Sequence, residues 1–338
     1  MPLNILFPDS RFAQLDVERE VTGPDTILNS PRKDRFDAIE LGAWENCDGI
    51  VVTRMPIDAG VIAHLKRARI VVRHGVGFDT VDVAACGKSG IAVCNVPDYG
   101  TTDVADAAIA MMLAFARGVA ALDAALRADL KSGWTTMHSV TARRLRGACF
   151  GVVGLGRIGT ATALRARAFG MEVAFYDPYL PNGVDLALGF TRARTLDVLL
   201  AQADVLSIHA PLTPETRAMI NAQAVAQMKP GAYLVNTARG PICDTGALLD
   251  GLKSGRLVAV GLDVLPKEPA SLDDPLVAAW EANEPWLRGR VLLNPHAAFC
   301  SPASLADLRR KAIETAWDYL HADRLANCVN AEYLKQRR

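Results

Sequence analysis

The 338-residue sequence carries no net charge, because 37 Lys and Arg balance 37 Asp and Glu. No whole-molecule attraction to nucleic acid or to an anionic membrane follows, so an anionic ligand must be held by local groups. A long apolar run is also missing. The longest, Ala107 to Ala116, is ten residues and stops at Arg117, well short of the roughly 20 needed to span a bilayer. The opening MPLNILFPDSRF has neither a basic region ahead of an apolar core nor a small-residue cleavage site, and reads as a first strand. Cysteines at 47, 86, 94, 149, 243, 300 and 328 are scattered, odd in number and never in a C-x-x-C pair, which speaks against a disulfide frame or zinc knuckle. H-x-H, H-E-x-x-H and G-x-S-x-G are absent too, leaving metal and serine-nucleophile chemistry without a motif. These absences predict a cytoplasmic protein with reduced, mostly core thiols, and no metal, nucleic-acid or membrane partner.

What is present is a globular composition, 50% hydrophobic, in a chain long enough for two domains at about 150 residues each. Up to about residue 100, β-rich runs at Asn4 to Phe7, Gly49 to Thr53, Ile70 to Arg73 and Ile91 to Val96 alternate with helical stretches, the pattern of an open α/β sheet. One long helical pattern follows, from about Asp103 to Leu130. Six further strand-like runs, at 148–154, 171–177, 203–210, 232–236, 257–264 and 290–294, predict a second, doubly wound parallel sheet. A last helix is read over Pro302 to Arg324.

The first run of the second series leads into Gly154-Leu155-Gly156-Arg157-Ile158-Gly159, which opens a helix-forming segment. Asp177 ends the next strand, 18 residues past Gly159. G-x-G-x-x-G in that setting is a dinucleotide fingerprint: Gly154 for the turn, Gly156 for approach of a pyrophosphate, Gly159 for close helix packing, and the acid for the ribose diol. Asp177 would repel a 2′-phosphate, and Pro178, Tyr179 and Leu180 supply no Arg to neutralise one, so NAD is expected over NADP.

Arg239, Glu268 and His296 each follow a strand of the second series, at the edge where open α/β sheets bind ligands. Hydride exchange with a 2-oxo acid needs a proton donor, a fixed cation for the carboxylate and carbonyl, and a partner for the donor. An imidazole titrates near working pH, a neighbouring carboxylate stabilises the imidazolium, and an Arg fork bridges carboxylate and carbonyl as Lys cannot. His64, His74, His138 and His321 have no motif around them and read as structural, while His209, at a strand end, shapes the cofactor pocket.

The ordered set GLGRIG, YDPYLP, HAPLTPET, MKPGAYLVNTARGPI, GLDVLPKEP and NPHAAF resembles the D-isomer-specific 2-hydroxyacid dehydrogenases, including D-3-phosphoglycerate dehydrogenase. RHGVGFDTVD (73–82), GIAVCNVPDYG (90–100), HAAFCSPAS (296–304) and ANCVN (326–330) resemble the C-terminal binding protein branch most. The resemblance implies a Rossmann-like NAD-binding domain over 102–307, inserted in a discontinuous flavodoxin-like substrate domain of residues 1–101 and 308–338. It implies a catalytic triad of Arg239, Glu268 and His296. It places cofactor contacts on Gly154, Gly156, Arg157, Ile158, Gly159, Asp177, His209, Pro211, Thr237, Ala238 and Asp263, with Asp263 toward the nicotinamide carboxamide. Substrate contacts fall on Arg73 and the loop Gly75, Val76 and Gly77, with Phe299 lining the pocket. Arg54 sits where several members place a residue near substrate, and reads either as meeting a second anionic group or as a solvated surface arginine. A homodimer is implied as well.

The chain departs from the corepressor members at Phe299, where they carry Trp, and at Val76, where they carry Ser, so their substrate preference does not transfer. It ends at Arg338 without their long tail. The expected activity is NAD-dependent interconversion of a small 2-oxo acid and its D-2-hydroxy acid. The competing reading is an NAD(H)-sensing dimeric scaffold that holds a short peptide with little or no turnover.

Overall fold

In the computed structural model, which describes residues 2–334 and 337, the chain divides into two units, 2–100 with 300–334 and 337, and 101–299. The first contains β1 (Asn4–Leu6), β2 (Ile27–Asn29), β3 (Gly49–Val52), β4 (Ile70–Arg73) and β5 (Ala92–Cys94). They form one parallel sheet in the order β2-β1-β3-β4-β5. Its central strands are buried on both faces, as the unbroken apolar runs GIVV and IVV require of a sheet covered by helices. The strand order reverses at β1 and β3, so the loops leaving these two strands flank the crevice where such sheets take ligands.

The helix Pro302–Ala322 belongs to this first unit over its whole length. The first unit therefore resumes at Cys300, earlier than the 308 read from sequence, because Leu308, Ala312, Ile313, Ala316 and Tyr319 pack in one apolar cluster with Ile5, Val51, Ile70 and Val72. Ser301 caps the helix: its hydroxyl accepts the Ser304 N–H while the Ser304 hydroxyl accepts the Ser301 N–H, both at 3.0 Å. Arg309 on the same helix reaches Glu18, 2% exposed in its side chain, and Asp16, each at 2.6 Å.

The second unit holds β6 (Cys149–Val153), β7 (Glu172–Tyr176), β8 (Thr191–Arg192), β9 (Val205–Ile208), β10 (Ala232–Asn236), β11 (Leu257–Leu262) and β12 (Val291–Leu293). All pair in parallel, in the order β12-β11-β10-β9-β6-β7-β8, a doubly wound sheet with its switch point between β6 and β9. The six expected strands are these, apart from the two-residue β8, which is too short to leave a pattern.

The long helix expected over 103–130 is two, Thr101–Arg117 and Val119–Ala128, bent by 60°. Gly118 sits between them in the left-handed region, φ 65°, and a Cβ there would lie 1.9 Å from Ser139 Oγ. The glycine thus both permits the bend and admits the residue that fills its inside. Among the described residues no single helix is long and apolar enough to cross a membrane.

Candidate active site

The glycine loop lies at the switch point of the second sheet. Gly154 has φ 85°, and a Cβ on it would meet Ala210 Cα at 2.8 Å, so the loops leaving β6 and β9 touch only because a glycine stands there. A Cβ on Gly159 would fall 2.1 Å from the Gly154 carbonyl oxygen, which fixes the tight seat of the helix Arg157–Ala168. Around Gly156 there is open space within 4 Å. It caps the N-terminus of that helix, where unbonded N–H groups and the helix dipole favour an anion. Arg157 is exposed and Ile158 half-buried beside it.

Asp177 follows β7, and its carboxylate accepts the Leu155 N–H at 3.0 Å and the Tyr179 N–H at 3.0 Å. The acid is therefore already tied to the glycine loop. Pro211 is exposed just past β9, and His209 pairs its Nε2 with Ser207 Oγ at 2.8 Å. Burial pushes the His209 imidazole down to about 3, so it stays neutral. Thr237, after β10, buries a hydroxyl oxygen that has no hydrogen-bond partner. A buried hydroxyl in that state, at the same strand ends of the second sheet as the open glycine loop and Asp177, fits a dinucleotide that would complete it.

Three loops carry Arg239, Glu268 and His296, and the side chains of the last two meet. After β10, the buried Asn236 accepts the Ala238 N–H at 2.9 Å and donates Nδ2 to the Arg239 carbonyl at 2.9 Å, which folds the backbone under Arg239. Arg239 is half-buried, with Nη1 donating to the Ala238 carbonyl at 2.8 Å. Gly240 then approaches the next loop so closely that a Cβ would stand 1.9 Å from the Leu265 carbonyl carbon and 2.4 Å from Pro266 N. After β11, Glu268 turns back: Oε1 accepts the Leu265 N–H at 3.2 Å and Oε2 meets His296 Nδ1 at 2.8 Å.

His296 itself sits in the left-handed region, φ 54°, which costs a non-glycine residue of order 1–3 kcal/mol. Asp263 holds it there. The Asp263 carbonyl accepts the His296 N–H at 2.7 Å, and its Oδ1 accepts the Ala297 and Ala298 N–H groups at 2.9 Å each. Hydrogen bonds to a charged group are worth about 1.5–3 kcal/mol apiece, enough to offset the strain. Burial pushes the Asp263 carboxyl above its ordinary value, opposed by those two N–H groups. Phe299 lies edge-on to the imidazole, ring centroids 6.3 Å apart.

Sequence reasoning names Asp263, but not its grip on the histidine turn, and it misses Asn236 and Gly240. The signal for the last two was in the motif NTARG, where a polar residue ends a fully buried strand and a glycine follows the arginine.

Of the residues expected from sequence to contact substrate, all but Phe299 lie in the first unit. Asp9, in the loop after β1, accepts the N–H groups of Thr53, Arg54 and Met55 at 2.8, 2.5 and 2.7 Å, pinning the loop that exposes Arg54 at that sheet's switch point. Arg73 ends β4 and folds back, Nη1 donating to the His74 carbonyl at 2.7 Å and lying over Gly75, whose φ is 142°. The 75–77 loop is tied by Asn95 Nδ2 to the Val76 carbonyl at 2.6 Å and by the Val96 N–H to the Gly75 carbonyl at 3.0 Å. Val76 and Gly77 are half-buried.

Residues 109–298 match the sequence model of the NAD-binding domain of the D-isomer specific 2-hydroxyacid dehydrogenases. A glyoxylate reductase from Korarchaeum cryptofilum is 36% identical over 295 residues, 87% of this chain and 86% of that protein. A D-3-phosphoglycerate dehydrogenase from Mycobacterium leprae is 42% identical over 237 residues, 70% of this chain and 44% of that longer one. The crystal structure of a D-lactate dehydrogenase from Aquifex aeolicus, complexed with NAD and lactic acid, superposes with a TM-score of 0.84 at 27% identity, covering 98% of both chains. The chain belongs to the D-isomer-specific 2-hydroxyacid dehydrogenase family, and its second unit carries that family's NAD-binding domain.

Proposed function

We propose that the protein interconverts a small 2-oxo acid and its D-2-hydroxy acid with NAD(H), using His296, Glu268 and Arg239. The observation that carries this is the 2.8 Å contact between His296 Nδ1 and Glu268 Oε2, presented by a strained turn that Asp263 holds in place. The bound nicotinamide supplies the hydride. Nδ1–H of His296 donates to Glu268, which leaves Nε2 to give a proton to the substrate oxygen in reduction and to take it back in oxidation. Glu268, itself fixed by the Leu265 N–H, sets the tautomer and steadies the charged ring. Arg239 binds the substrate carboxylate and carbonyl, orienting C2 and drawing charge toward the developing oxyanion.

The dinucleotide is assigned to Gly154, Gly156, Arg157, Ile158 and Gly159 for the pyrophosphate and to Asp177 for the ribose diol. His209, Pro211, Thr237, Ala238 and Asp263 line the rest, the Thr237 hydroxyl gaining the partner it lacks. Asp177 favours NAD over NADP, since a 2′-phosphate would meet a carboxylate. Substrate recognition is assigned to Arg73, the backbone of Gly75, Val76 and Gly77, Phe299, and Arg54 for a second anionic group. Glyoxylate-sized acids fit the likeness to the glyoxylate reductase that is 36% identical. A homodimer through the second unit is supported by Leu130, Trp134, Met137 and Val140, all more than half exposed within one segment.

The test is the loss of NADH absorbance across a panel of 2-oxo acids, from glyoxylate and pyruvate to branched, aromatic, dicarboxylic and phosphorylated members. Turnover with a member of the panel, faster with NADH than NADPH, is expected. Tight NADH binding with no turnover on any member would instead favour the scaffold reading, in which the corepressor-like residues 296–304 and 326–330 mark a binding protein.

A further inference from the structure

Past the helix Pro302–Ala322, the chain returns to the edge of the first sheet. The Val329 N–H donates to the Val93 carbonyl at 2.8 Å and the Asn95 N–H to the Asn327 carbonyl at 3.3 Å. Those two bonds flank Cys94 and Cys328, which face each other in an isolated antiparallel bridge. The pair is thus of the non-hydrogen-bonded kind, whose Cα atoms lie about 4.5 Å apart with side chains on one face, inside the range that a disulfide spans without backbone movement. Both cysteines touch the same apolar cluster. Asn330, fully buried, clamps the segment by accepting the Val93 N–H at 2.8 Å and donating to the carbonyls of Ile91 and Val83 at 3.0 and 3.1 Å. The register of the two cysteines is therefore fixed from both sides.

We propose that Cys94 and Cys328 are a peroxide-sensitive thiol pair, oxidised to a disulfide that fastens residues 325–330 to β5. Their exposures differ in the way the chemistry needs: Cys328 is half-buried and reachable, whereas Cys94 is fully buried. The Cys328 thiol is drawn down to about 6 by a hydrogen bond from Cys94, which outweighs burial, while that same bond pushes Cys94 up. Cys328 is the attacking thiolate and Cys94 keeps its proton. The Cys328 thiolate attacks the peroxide oxygen, breaking the O–O bond to give a sulfenic acid and, once protonated, an alcohol or water. Cys94 Sγ then attacks the sulfenic sulfur, the S–S bond forms, and hydroxide leaves with the Cys94 proton as water. One peroxide is reduced by two electrons for each disulfide made. The residue that follows β5 is Asn95, whose side chain holds the 75–77 loop, so the link sits one residue from the side chain that ties that loop.

The test is hydrogen peroxide treatment of the full-length protein, followed by alkylation, proteolysis and mass spectrometry. The expected product is a cross-linked peptide pair holding Cys94 and Cys328, two hydrogens lighter than the sum and lost on treatment with dithiothreitol. It should vanish in Cys94→Ser and Cys328→Ser and persist in Cys300→Ser, which removes the exposed thiol. Since Cys94 is a core position, Cys328→Ser at the sheet edge gives the decisive comparison if the former does not fold. Oxidation that ends at Cys328 sulfinic acid, or that links only Cys300 between molecules, would overturn the proposal.

Discussion

Replacing Gly240 by Ala tests how the site is assembled without touching a residue of the triad. The added Cβ would lie 1.9 Å from the Leu265 carbonyl carbon and 2.1 Å from its oxygen, where ordinary contact starts at 3.4 Å. Both neighbours are backbone, so neither can rotate away. The loops that carry Arg239 and Glu268 must therefore part by about 1.5 Å. Overpacking of this kind costs about 1–3 kcal/mol of stability, while a misplacement of about 1 Å costs around 10²-fold in rate. The expected result is a folded protein whose kcat/KM for NADH-dependent reduction falls about 10²-fold, with a Tm lowered by a few degrees. The assay is steady-state kinetics alongside a thermal melt. A Gly240→Ala protein with wild-type kcat/KM would refute the claim that this close approach positions the two loops.

Gly156→Ala is the contrasting case: with nothing within 4 Å of the new Cβ, the melt should not move, yet KM for NADH should rise at least tenfold because the methyl occupies the pyrophosphate cradle. An unchanged KM would remove Gly156 from the cofactor site. His74 gives a pH prediction. Burial first, and then the cations Arg73, Arg309 and Arg11, push its imidazole down to about 3. Below about 6.5 the unfolded chain takes up a proton that the folded one refuses until about 3, so stability falls as pH falls through that window, by about 1.4 kcal/mol per pH unit. Urea denaturation from pH 6.5 to 4.5 should therefore be shallower in pH for His74→Gln than for the wild type, and equal slopes would contradict the burial argument. Arg54→Ala should cost a dianionic 2-oxo acid at least tenfold more in kcat/KM than a monoanionic one, and equal losses would sink its second-anion role.

The parts of this protein that were legible in the sequence are those where one strong local rule acts. β10 coincides with the run read at 232–236 because this central parallel strand is buried along its length, is apolar up to Asn236, and is bounded by Gly231 and by a polar turn. The glycine loop and Asp177 stood out because strand, turn, helix and acid each have a fixed offset. Gly118 was read through, since one glycine inside an apolar helical pattern leaves the periodicity intact, and only Ser139, distant in sequence, makes the bend necessary. The return to the first unit at Cys300 was misplaced for a similar reason: the Ser301 cap is visible locally, but the partners of the helix behind it, Ile5 to Val72, lie more than two hundred residues away. Asp263 shows the limit best. Its place after β11 was readable, whereas its hold on the His296 turn depends on the pairing of β11 with β12.

The most direct measurement is turnover and NADH affinity in His296→Ala, assayed with the best 2-oxo acid of the panel and by fluorescence titration of NADH. The account predicts a loss of about 10²- to 10⁴-fold in kcat, with NADH affinity within a factor of about two of wild type, because the dinucleotide is assigned to other residues. Wild-type turnover in that protein would show that the proton comes from another group, and the His296–Glu268 pair would lose its place at the centre of the chemistry.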